Sequence, residues 1–195
     1  MKTSPLHRYG QWWPVLLGFV AMGLVYVAVA FGRQKLVSKS LHEDLALILL
    51  GISIVGFLLQ ALVFRSQFHL LMAIVCAALF CREWHFYGSG VIMYTILALV
   101  AFWLVRRKER FSRVLAETPL KIWLVASLAT YALSQLIARR FFRRLYLPQE
   151  DDLHIYLEET VETTAHIMMI VVCILACIAA LTMRRRADSE PASSH

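Results

Sequence analysis

Residues 45–64 read LALILLGISIVGFLLQALVF, twenty positions without one charged side chain. A hydrocarbon core ~30 Å thick takes about 20 apolar residues in a helix that rises ~1.5 Å per residue. This run has that length, and the chain on either side repeats it. Further apolar runs lie at about 12–31, 68–85, 91–105, 118–137 and from 151 or 152 to about 183. The charges fall between them in short clusters, at 33–44, at Arg65, at Arg82 and Glu83, at 106–110, at 139–144 and at 184–186.

Composition agrees. The chain is 59% hydrophobic and 17% charged, where soluble domains run nearer about half and about a quarter. The expected fold is all-α, a polytopic membrane helical bundle of about six transmembrane helices. It forms a single domain over 1–186, followed by a disordered polar tail over 187–195. No internal repeat is visible.

The net charge of +7 does not point to nucleic acid, because the basic residues flank apolar spans as topology signals do. Lys2 and Arg8 precede the first run, and Ala28-Val29-Ala30 has the small-x-small form of a leader cleavage site. The run is long enough to span, however, and Trp12 and Trp13 suit an interface, so it reads as a retained first helix. Cys76, Cys81, Cys173 and Cys177 sit inside apolar runs with no Cys-x-x-Cys spacing, as small buried hydrophobes do.

Six crossings divide the charges. With both termini in the cytoplasm, twelve Lys and Arg face inward and eight outward, the direction of the positive-inside rule. The acidic residues divide more sharply. Nine of the thirteen share the other face: Glu43, Asp44, Glu83, Glu150, Asp151, Asp152, Glu158, Glu159 and Glu162.

The strongest local pattern opens the sixth helix. His154, Glu158, Glu162 and His166 recur every four residues. At ~100° per residue each step drifts only ~40°, so the four make one ladder along the helix. Counting ~20 residues back from Met183 puts His166 just inside the apolar core and Glu162 about one turn above it. A carboxylate there is costly and should face protein or a wet cavity. A second pattern, Arg82-Glu83-Trp84-His85, ends the third helix at the same depth.

Glu83, His85, Glu162 and His166 thus form a candidate ligand set for a divalent transition metal, since imidazole and carboxylate suit zinc, iron or manganese. Glu158 and Glu159 are the candidate general bases. The competing account is structural: ion pairing of Glu83 with Arg82, Arg139 or Arg140, and acidic residues favoured by the helix dipole. No His-Glu-x-x-His or His-x-x-x-His signature occurs. Arg139, Arg140, Arg143 and Arg144 follow the fifth helix. If helical they cover an arc of ~140° opposite Phe141, Phe142, Leu145 and Tyr146, an amphipathic extension suited to anionic lipid headgroups.

These patterns support a membrane site acting on a polar or lipid-headgroup substrate, as a metal-assisted hydrolase or transferase. Membrane lipid is the expected partner, with other membrane proteins as further candidates. Two other classes remain open: a non-enzymatic accessory subunit of a membrane complex, and a small transporter. Transporters carry charged groups or broken helices near the midplane, whereas here the middle of each span is uncharged and Gly56, Gln60, Ser134 and Gln135 are its polar or flexible positions.

Overall fold

The computed structural model describes residues 10–33, 38–84, 86–107, 118–141 and 150–189. Among the described residues the chain is helical, without strands. A 3-10 segment, Gly10–Leu16, leads into α1 (Leu17–Ala30). It is followed by α2 (Lys39–Phe64), α3 (Gln67–Glu83), α4 (Ser89–Arg106), α5 (Thr118–Ala138) and α6 (Glu150–Ser189).

Among the described residues, five stretches are long and apolar enough to cross a membrane: Gln11–Ala30, Lys39–Phe64, Ser89–Arg106, Thr118–Ala138 and Asp152–Arg185. Large apolar side chains stand exposed along them, among them Ile48, Leu62, Val91, Leu99, Phe102 and Ile174, each more than half accessible. Water does not tolerate so much apolar surface, and hydrocarbon is the solvent it suits. The fold is an all-helical membrane bundle. α3 is not among the five stretches: it has 17 residues, ~26 Å of rise.

Three boundaries depart from expectation. Residues 39–44, expected to be a polar connection, form the first turns of α2, where Lys39 pairs with Glu43 at 3.4 Å one turn on. α5 does not continue as an α-helix through Arg139 and Arg140, and residues 142–149 of the expected amphipathic extension lie outside the described residues. α5 stops at Ala138, and Arg140 takes a left-handed conformation (φ 52°) while donating its N–H to the Ile137 carbonyl. Arg143 and Arg144 lie outside the described residues. α6, expected to end at about Met183, runs on to Ser189. Residues 190–195 of the expected tail lie outside the described residues.

The chain divides into two compact units. The first takes residues 1–50 and 122–170. Its core joins Ala21, Met22 and Val25 of α1, Leu133 and Ile137 of α5, and Leu153, Leu157 and Val161 of α6. Helices in lipid associate through close packing and polar links rather than through expulsion of water. Gly18 supplies the close packing: a Cβ there would stand 3.0 Å from Leu133 and 3.3 Å from Thr130. α5 supplies polar links. Ser127 donates to the Ala165 carbonyl at 3.3 Å, and Thr130 donates to the Ala126 carbonyl and reaches the Met168 sulfur. Trp13 and Trp123 meet edge to face, with centroids 5.5 Å apart.

The second unit takes residues 51–121 and 171–195. α3 packs against α4 within it. The α2–α3 turn places Arg65 at φ 47°, and Gly88, at φ 85°, opens α4, a conformation glycine adopts without a Cβ penalty. Gly56 gives the closest approach in this unit. A Cβ on it would lie 2.8 Å from the Cys173 sulfur, and Gln60 one turn on donates to the carbonyl and sulfur of Cys173, both at 3.1 Å.

Candidate functional site

The four-residue ladder of α6 is not a solvated face. His154 is half-buried and its ring accepts a hydrogen bond from the Arg140 guanidinium at 3.1 Å. Glu158 and Glu159 are half-buried as well. Glu162 and His166 are closed off, at 4% and 0% exposure. A carboxylate oxygen of Glu162 and a ring nitrogen of His166 lie within 4.8 Å of each other. They are therefore close enough to hold one metal ion together. Their alignment follows from the helix, because residues four apart stack on one side of it.

Two helices of the first unit, α5 and α2, meet this part of α6. Tyr131 of α5 meets the His166 ring edge-on, with centroids 5.3 Å apart. Ser127, one turn before Tyr131, ties α5 to α6 at Ala165. From α2, His42 is buried and its Nδ1 lies 2.9 Å from the Thr163 hydroxyl, while Thr160 reaches its Nε2 at 3.4 Å. Glu159 sits in the electrostatic field of Glu158, Glu162, Glu43 and Lys39. Three carboxylates and one ammonium thus surround a candidate base, an arrangement that a cation would relieve.

The other expected residues fall as follows. Glu83 ends α3 in the second unit, is buried, and has the Arg82 guanidinium 4.0 Å away, the outer limit for an ion pair. His85 lies outside the described residues. Arg139 is exposed, and Arg140 turns toward His154.

His42, Thr160 and Thr163 are absent from the expected set. Their signal was present in the sequence. His42, Ala46, Leu50, Ser53 and Phe57 repeat at helical spacing and are all buried, but the pattern emerges only once α2 is begun at Lys39. Treating 33–44 as a connection cut His42 out of it.

No family model matches the chain, and no curated protein or solved structure matches it.

Proposed function

We propose that this membrane protein holds a divalent transition metal through Glu162 and His166 and applies it to a polar or lipid-headgroup substrate at one membrane face. The observation that carries the reading is the burial of a carboxylate and an imidazole one turn apart on α6. Ionisable groups at membrane depth are costly and cluster where they bind ions or substrates. The depth count from the sequence assigns Glu83 and His85 to the same interface, and they are the proposed remaining ligands.

A metal held by Glu162 and His166 would supply a Lewis acid that polarises a carbonyl or phosphoryl oxygen and makes a nearby water more acidic. Glu159, or Glu158 beside it, would take the water's proton. That proton would pass to the departing alkoxide as the ester bond breaks and the water oxygen takes its place. Arg139, Arg140, Arg143 and Arg144 are the proposed contacts to anionic headgroups.

We also infer that α3 crosses the membrane. The C-terminal end of α2 and the region of Arg184 on α6 line one cavity in the second unit, so both belong to one membrane face. An even number of crossings must separate them. α4, α5 and α6 supply three by length, and α3 supplies the fourth. The Lys and Arg distribution makes this the cytoplasmic face, which also holds both termini.

The proposal is tested by metal analysis of detergent-purified protein. Wild type should carry metal in stoichiometric amount, and Glu162→Gln should lose most of it while folding normally. Equal metal in both, or none in either, would leave the pair as a structural contact, the expectation for an accessory subunit.

A further inference from the structure

The geometry points to a phosphate-binding site in the second unit, separate from the Glu162–His166 pair. It is an open cavity of about 400 Å³ lined by Arg65, Ser66, His69 and Arg184, with Phe64 and Met183 among its apolar walls. Two arginines, a helix N-terminus and a buried histidine meet at it.

The first is charge. Arg65 and Arg184 both line the cavity and are exposed, and among the described residues neither has an ion-pair partner. Two guanidinium groups make planar, two-toothed contacts with phosphate oxygens that ammonium groups do not.

The second is the backbone. Ser66 is the N-cap residue of α3, and its side chain makes no capping bond. The first N–H groups of a helix lack intrahelical partners and carry about half a positive charge, so they bind anions. The C-terminus of α2 ends next to it at Phe64 and contributes about half a negative charge. The two helix ends offset each other, and the arginine charges decide the sign.

The third is His69. It is 1% exposed; the Ala176 backbone offers a partner to one ring nitrogen, and the other has none. A buried polar group left unpaired is costly. The ring packs against Phe64 and Phe68, with centroids 5.7 and 5.6 Å away, and so stands in a fixed place beside the cavity. A phosphate oxygen entering there gives the second ring nitrogen a partner.

The chemistry recognised is a phosphate group, either on a lipid or free. The apolar walls suit the acyl region of a lipid, and phosphatidic acid is the natural probe.

Native mass spectrometry of the full chain, released from mixed phosphatidylcholine and phosphatidic acid micelles, counts retained lipid. Wild type should retain phosphatidic acid over phosphatidylcholine. Arg65→Gln and Arg184→Gln should each weaken retention about tenfold, the usual effect of losing a charged hydrogen bond, and the lysine variants should recover part of it. His69→Asn should weaken retention without lowering the melting temperature. Displacement by inorganic phosphate would mark the phosphate alone as the ligand, and resistance to it would mark the lipid headgroup. Retention unchanged in the Arg65→Gln/Arg184→Gln double variant, or lost only on replacing Arg139 and Arg140, would overturn the site.

Discussion

The imidazole of His42 and the hydroxyl of Thr163 lie 2.9 Å apart, a buried hydrogen bond between α2 and α6. Thr163 directly follows Glu162, so this bond helps set the rotation of α6 at the proposed metal site. Interhelical hydrogen bonds in membranes average about 0.6 kcal/mol and reach ~1.7. Thr163→Val should therefore lower stability by about 1 kcal/mol in a reversible unfolding experiment in lipid or detergent, and metal content should stay near wild type. A complete loss of metal in that variant would make Thr163 part of the site rather than its support.

Gly56 and Cys173 offer a packing test away from the site. Alanine at 56 gains helix propensity worth about 1 kcal/mol, but its Cβ would stand 2.8 Å from the sulfur. Overpacking of this kind costs about 1–3 kcal/mol. Gly56→Ala should be neutral or destabilising alone, and clearly stabilising when Cys173 is also alanine. Additive effects in the double-mutant cycle would mean the close contact is absent.

Most of the helical frame was legible, and the reason is physical. A span must satisfy its own backbone inside lipid, so it leaves a long uncharged run such as 45–64. Helix ends were less legible, because local contacts decide them. Lys39 with Glu43, and His42 with Thr163, extend α2 into a segment whose composition reads as a loop. Arg140 ends the α5 region by adopting φ 52° and turning to His154, which no periodicity announces. Of the candidate site, the spacing of four exposed the Glu162–His166 pair, since one helix carries both. His42 depends on a neighbouring helix and came only from the structure.

The crossing of α3 can be checked by labelling. In a background with the four native cysteines replaced by alanine, Ser66→Cys and Ser189→Cys should react with an impermeant maleimide from the same side. Tyr87→Cys, fully exposed after α3, should react from the other. The same sidedness for Ser66→Cys and Tyr87→Cys would show that α3 does not cross.

Ligation of a metal by Glu162 and His166 is read from X-ray absorption at the metal edge of the full chain. The expected spectrum has a nitrogen and oxygen shell at ~2.0–2.2 Å, with the outer-shell scattering of an imidazole that disappears in His166→Ala. The residual metal of Glu162→Gln should have one oxygen fewer. A shell identical in wild type and both variants, or protein that takes up no metal in stoichiometric amount, would contradict that ligation.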